Sequence, residues 1–459
     1  MEVRGIKRYQ SETVVTTSIK TDGKSTKHFI AISKNPSLVS QPGQGINEIL
    51  ENEFRELSNE LPQLYDGYNN YGYLPIGTET MKVIDLINSI PEGEWKKHDI
   101  LGWLYQFYQD EEKNETYRAL SNNKKISNER ELTAVTQFYT EDYIIKFLVE
   151  NTLGREWIEM HPESKLINKM RFFDKNIPLL PRKIKSVKEI KVLDPSCGSG
   201  SFLINAFDLL YEMYLEETGF SENIPNEIIR NNLYGLDIDE RAIQITALSL
   251  YLKSKTISKI SILTNSNLFP ISIKEMNDKQ IDEYIESIDI HIKNGPYKNF
   301  FDTVKELKYL NMIGSLFRIK PLSGKIKKEH TAKIADNLEE DYYTGISKKI
   351  DDLLHSFPKQ RDAISTLMNQ GYEKELNAIK FLLRKYDVVM TNPPYLDSGK
   401  LSDYMKKYLK IYYPDSYSDM YSAFIEKCLE LTAKDGFLGM ITMQSFMFIS
   451  SHKKLRELI

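Results

Sequence analysis

A short apolar run, Ile190–Leu193, leads straight into Asp194-Pro195-Ser196-Cys197-Gly198-Ser199-Gly200 and then into the apolar-rich stretch Phe202–Tyr214. A strand that breaks at closely spaced glycines and re-forms as a helix is a βα unit. Two more runs repeat the rhythm. Leu233–Leu236 ends in Asp237-Ile238-Asp239 before a helical stretch, Glu240–Lys253, and Ile260–Leu263 leads into Thr264-Asn265-Ser266-Asn267-Leu268-Phe269. Strands alternating with helices predict an α/β fold with a mostly parallel, doubly wound sheet covered on both faces.

The rhythm stops near Ile271 and resumes with a strand at Asp387–Met390, a helix near Tyr417–Leu431 and a strand at Phe437–Thr442. The charged intervening sequence predicts a mainly helical insertion. Upstream, the chain carries weak strand-like runs, Glu12–Ile19 and His28–Ile32, and a polar helix around Ile46–Leu61. The pattern turns helical at Ile100, in LGWLYQFYQDE. Thr140, followed by Glu141 and Asp142, predicts a helix start. Ile144, Phe147, Leu148 and Asn151 are expected on one face of that helix, with Gly154 closing it. The predicted organisation is therefore an N-terminal α+β or helical subdomain (1–125), a first core half (126–272), the insertion (273–382) and a second core half (383–459).

Composition narrows the function. The formal charge of −4 does not by itself indicate a nucleic-acid binder. Two basic clusters stand out: Arg182, Lys183, Lys185, Lys188 and Lys191, then Lys325, Lys327 and Lys328. Each is equally a solvated face or a phosphate contact. The longest apolar run, Phe437–Ile449, is too short to span a bilayer. Two cysteines, seven histidines without paired ligand spacing and a polar N-terminus predict a reduced, cytoplasmic protein with no structural metal and no membrane partner.

The chemistry concentrates at predicted strand ends. Gly198 and Gly200 allow backbone to approach a ligand closely and aim helix N–H groups outward, although the spacing is not G-x-G-x-x-G. Asp237, directly after a strand, can accept hydrogen bonds from ribose hydroxyls, and Ile238 offers an apolar plate to an adenine ring. Asn267 could read an adenine edge or bond its own turn. Asp239 is the natural cap of the next helix. Each of these positions lies at the carboxyl end of a parallel strand, where open α/β sheets bind ligands.

Asn392-Pro393-Pro394-Tyr395 is the sharpest signal. Two prolines remove competing N–H donors. The Asn392 side-chain oxygen and the Pro393 carbonyl then make a pair of acceptors suited to an exocyclic amino group. Accepting both N–H bonds frees the amine lone pair, and Tyr395 can stack on the ring that carries it. Attack on a sulfonium methyl would then need alignment and no strong base.

LDPSCGSGSF followed by TNPPY resembles the cofactor and catalytic motifs of amino-group DNA methyltransferases. QFYTEDYIIKFLVENTLG, placed before the glycine turn, resembles the cofactor helix of the gamma-type adenine N6 enzymes. LGWLYQFYQDE and KKISNERELTAVTQFYTEDYIIKFLVENTLGREWIEMHP further resemble the PglX-type methyltransferases of BREX phage-defence systems. The resemblance implies a class I, Rossmann-like fold, S-adenosylmethionine as cofactor and double-stranded DNA with a flipped adenine as substrate. It implies Thr140 and Asp194 at the methionine part, with Pro195, Gly198, Gly200 and Phe202 in the motif around it. It places Asp237 on the ribose, with Ile238 beside it, and Asn392, Pro393, Pro394 and Tyr395 as the catalytic tetrad. The family often has an acid where Asn267 stands.

A complete sheet of that class has seven strands, and five are read here. The last pair and the recognition region are therefore expected on a further polypeptide or lost, with other phage-defence proteins as possible partners. Alternatives are a non-catalytic cofactor-binding component, the modification part of a restriction-modification system, or a protein-glutamine methyltransferase using the same clamp.

Overall fold

The computed structural model describes residues 100–271 except 139 and 265, 309–318, 344–351 except 349, and 376–459, with short pieces between 57 and 95. The runs Glu12–Ile19 and His28–Ile32, most of the helix expected at Ile46–Leu61, and the Lys325, Lys327 and Lys328 cluster lie outside the described residues.

Helices α1 (Ile100–Tyr108), α2 (Asp110–Ser121), α3 (Glu129–Thr136) and α4 (Asp142–Val149) precede the sheet. Then follow β1 (Val192–Asp194), α5 (Ser201–Thr218), β2 (Leu233–Asp237), α6 (Glu240–Ile257) and β3 (Asn267–Pro270). The second half supplies β4 (Tyr386–Thr391), α7 (Asp403–Tyr412), α8 (Met420–Leu431) and β5 (Thr432–Met440). The five strands form one parallel sheet in the order β3-β2-β1-β4-β5. Val192 pairs with both Leu233 and Val388, and Val389 with Leu438. The strand order reverses between β1 and β4, and that switch point opens a crevice at the carboxyl edge.

Alternation along the strands splits the core into two layers. Val192, Val388 and Met390 pack with apolar residues of α4, α5 and α6 on one face. Leu193, Tyr234 and Val389 pack with α7, α8 and residues 310–317 on the other. Each fully buried Leu or Val contributes roughly 1.5–3 kcal/mol, and coverage of both faces is why these strands read as apolar runs.

Four expectations are corrected. The third strand is Asn267–Pro270 and not Ile260–Leu263, where Ile260 and Ile262 are exposed. Pro270 has no N–H to donate, and β3 lies at the sheet edge, the position that tolerates proline. In α4 the cap residue is Glu141, with no side-chain bond, so Thr140 caps nothing. The buried face of α4 is Ile145 and Val149, one residue away from the expected one, and Phe147 is 47% exposed. Gly154 does not close the helix: a π turn, Glu150–Gly154, runs on into a helix at Arg155–Met160. A Cβ on Gly154 would lie 2.4 Å from Met170 Sδ, so close packing explains that glycine.

Part of the segment expected as an insertion packs into the core. Leu310, Ile313, Leu316 and Phe317 are buried against the sheet. Arg318 fixes that segment to α8, with Nε 2.6 Å from Glu430 and Nη1 2.9 Å from Glu426, and its guanidinium lies over the Tyr413 ring. Three residues of the first basic cluster are ion-paired: Arg182 with Glu159, Lys185 with Glu156 and Asp387, both half-buried, and the exposed Lys188 with Glu227.

Candidate active site

The glycine turn is locked across two strands. Cys197 N donates to Leu236 O at 2.9 Å, and Gly198 N donates to Asp237 Oδ2 at 2.9 Å. Gly198 and Gly200 have φ of 53° and 86°, a region that side chains disfavour. Gly200 begins α5, and a Cβ there would collide with Thr246. The second Asp237 oxygen accepts from Asp239 N at 2.9 Å. Asp239 caps α6 through Arg241 N and also receives the Tyr105 hydroxyl of α1.

Asp194 closes β1 and is 2% exposed. It accepts from Thr391 Oγ1 at 2.8 Å and from Ser196 N at 3.1 Å. Burial outweighs these bonds and raises its carboxyl to about 7. Burial likewise raises Asp237 to about 6, against the pull of its backbone donors.

Two adjoining clefts lie above this edge. The larger, about 700 Å³, is lined by Pro195, Asp237, Ile238 and Pro394 among others. The second, about 490 Å³, is lined by Thr140, Asp194 and Phe202. Gly198, Ser196 and Asn392 border both.

Asn392 sits where the clefts meet. Its Nδ2 donates to Thr140 Oγ1 at 3.0 Å, and its Oδ1 accepts from the Tyr395 hydroxyl at 2.7 Å. The same hydroxyl lies 2.8 Å from Ile441 O. Tyr395 thus occupies the acceptor expected for an incoming amine, and its ring stands edge-on to Phe138 at 6.2 Å instead of presenting an open stacking face. Pro393 is buried, and Pro394 is the proline that lines the cleft.

Nine of the thirteen site residues predicted from the sequence border the clefts; Gly200, Asn267, Pro393 and Tyr395 do not. Gly200 shapes the turn, and Tyr395 reaches the site through Asn392. Asn267 is a correction: its amide donates to Arg230 O at 2.9 Å and Leu233 O at 3.2 Å, at the amino end of β2. It moved because the strand moved.

Sequence reasoning missed one wall. Ile313, Gly314 and Ser315 line the larger cleft, and Ser315 donates its hydroxyl to Pro195 O. A Cβ on Gly314, where φ is 54°, would lie 2.5 Å from Ile238 Cγ2. The only local signal was a glycine in an apolar stretch, NMIGSLF. Tyr105 also borders the site unannounced, while Gln137 opens the segment that resembles the cofactor helix.

This sheet order, with a glycine turn after β1, an acid after β2 and NPPY after β4, defines a class I methyltransferase fold. The chain is similar to adenine-specific methyltransferases of the BREX type. The Eco57I restriction-modification methylase family matches residues 231–459, and the MmeI DNA-methyltransferase domain matches residues 170–276. The adenine-specific methyltransferase BrxX of Escherichia coli O9:H4 (strain HS) is 28% identical over 437 residues, 89% of this chain and 34% of the relative. The adenine-specific methyltransferase PglX of Lacticaseibacillus casei (strain Zhang) is 29% identical over 427 residues, 87% of this chain and 33% of the relative. The chain therefore spans about a third of the length of these curated relatives. A solved MmeI–DNA complex aligns over 94% of this chain and 46% of its own at 13% identity, with a TM-score of 0.42.

Proposed function

We propose that the chain is the cofactor-binding and catalytic part of a BREX-type methyltransferase. It would move a methyl group from S-adenosylmethionine to N6 of an adenine in DNA. The observation that carries this reading is the position of Asn392, bordering both the Asp237–Ile238 cleft and the Thr140–Asp194 cleft.

The residues fit the cofactor. Ile238, Met312 and Ile313 give the larger cleft an apolar wall of the kind an adenine ring packs on, and Asp237 retains lone pairs beside it for ribose hydroxyls. Asp194 offers a carboxylate to an ammonium at the other end. When bound, the cofactor supplies an electrophilic methyl on sulfonium.

The protein's part is to align the amine. A flipped adenine, extruded at a cost of a few kcal/mol, would share Asn392 Oδ1 with the Tyr395 hydroxyl, the oxygen having two lone pairs, or release that hydroxyl. Thr140 keeps the carboxamide oriented through the opposite end, so the oxygen faces the base and not solvent. With the cofactor bound, its sulfonium would supply the methyl and leave as a thioether, Asn392 Oδ1 would hold the amine in line, and the surplus amine proton would pass to solvent. Tyr395, once released, is free to stack on the base. The ion-paired state of Arg182, Lys185 and Lys188 argues against that cluster as the phosphate contact.

The test is transfer of labelled methyl from S-adenosylmethionine to unmethylated duplex DNA, with N6-methyladenine identified by mass spectrometry. Label on protein would favour a protein-glutamine methyltransferase, and binding without transfer a non-catalytic component. The Eco57I match favours, as a second reading, the modification part of a restriction-modification system.

A further inference from the structure

We infer that α1 reaches over from the N-terminal side to read the amino-acid end of the cofactor, with Gln106 and Gln137 giving amide oxygens to its α-ammonium. This rests on the function proposed above. Helix α1 lies before both segments matched to methylase families, so neither match assigns it a role.

The helix is fixed at the site. Tyr105 donates its hydroxyl to Asp239, and Gln109 Nε2 lies 3.3 Å from the same carboxylate. The Cβ position of Gly102 is 2.8 Å from Ser199 Oγ, so α1 sits against the glycine turn at a spot where a larger residue would push it away. Gln106 then falls one turn along from Gly102, in the cleft that also holds Thr140 and Asp194.

Gln106 Oε1 and Gln137 Oε1 are buried without a hydrogen-bond partner among the described residues, and both side chains line that cleft. An unmet buried acceptor is costly, and two that line one cleft are placed to take donors from whatever occupies it. The third acceptor there is the Asp194 carboxylate. An ammonium carries three N–H donors and no acceptor, which matches this set. A neutral hydroxyl has one donor to share among three.

The 459-residue chain is titrated with S-adenosylhomocysteine and with 5′-methylthioadenosine, which keeps the nucleoside and lacks the amino-acid half. Gln106→Leu is expected to weaken S-adenosylhomocysteine about 10- to 50-fold, the scale of a hydrogen bond to a charged group, while 5′-methylthioadenosine changes less than about twofold. Gln106→Glu, which keeps the acceptor, should hold S-adenosylhomocysteine within about threefold of the parent. Unchanged S-adenosylhomocysteine affinity in Gln106→Leu overturns the inference. Equal losses for both ligands also overturn it, because they mean a misplaced helix. A loss in Gln106→Glu as large as in Gln106→Leu overturns the ammonium assignment, since it means that the amide NH2 faces the carboxylate. Failure of the parent chain to bind either ligand removes the functional reading itself, and the inference with it.

Discussion

Asn392 Nδ2 and Thr140 Oγ1 lie 3.0 Å apart although 252 positions separate them in the chain. The bond ties the NPPY turn to the segment leading into α4. It fixes the carboxamide, whose oxygen accepts from the Tyr395 hydroxyl.

Asn392→Ala removes that oxygen and should lower methyl transfer to DNA at least about 100-fold, the scale of losing one preorganised polar contact at a reacting centre. Cofactor affinity, measured by calorimetry, should stay within about threefold because the adenosine and amino-acid contacts lie elsewhere. Equal loss of both would remove the clamp assignment.

Tyr395→Phe frees the Asn392 oxygen and keeps the ring. Transfer should remain within about threefold of the parent, whereas Tyr395→Ala should lose roughly 1–3 kcal/mol of stacking on the target base. If Phe is as damaging as Ala, the hydroxyl and not the ring is the working group.

Gly314→Ala puts a methyl 2.5 Å from Ile238 Cγ2 on a backbone with φ of 54°. Crowding of this kind costs about 1–3 kcal/mol, so S-adenosylhomocysteine should bind roughly tenfold more weakly and Tm should fall. Unaltered affinity would show that the 309–318 segment does not wall the cofactor cleft.

Asp194, raised to about 7 by burial, makes binding depend on pH. An ammonium prefers the ionised carboxylate, so affinity for S-adenosylhomocysteine should rise from pH 6 to pH 7.5 and then level off. Without ligand, the folded state holds this proton and the unfolded state does not between about pH 4 and 7. This group's contribution to stability therefore falls as pH rises through that window. Ligand-induced thermal shifts should accordingly be larger at pH 8 than at pH 6, and Asp194→Asn should flatten the difference.

Arg318→Met leaves Glu430, which Lys427 and Arg318 together depress to about 2 against the effect of burial, with one cation fewer in a half-buried site. Losing these charge-assisted bonds should cost about 1.5–3 kcal/mol, read from denaturant unfolding. Because Arg318 anchors the cleft wall, cofactor binding should weaken in the same variant.

What the sequence determined by itself was local. Apolar runs ending in glycine, acid or NPPY specify strands that stop at one edge, because a parallel sheet buried on both faces demands such runs and leaves the chemistry to their carboxyl ends. That placed Asp194, Gly198, Asp237 and Asn392 together before any coordinates. Tertiary packing decided the rest. Asn267 went to the amino end of a strand because that strand begins at Asn267 and not at Ile260, and Thr140 became a partner of Asn392 instead of a cap. The Ile313–Ser315 wall and the Gln106–Gln137 acceptors come from segments whose sequence has no periodic link to the sheet. Their roles arise only when Arg318 and Asp239 pin those segments beside the crevice, and no short-range pattern encodes a contact between residues more than a hundred positions apart.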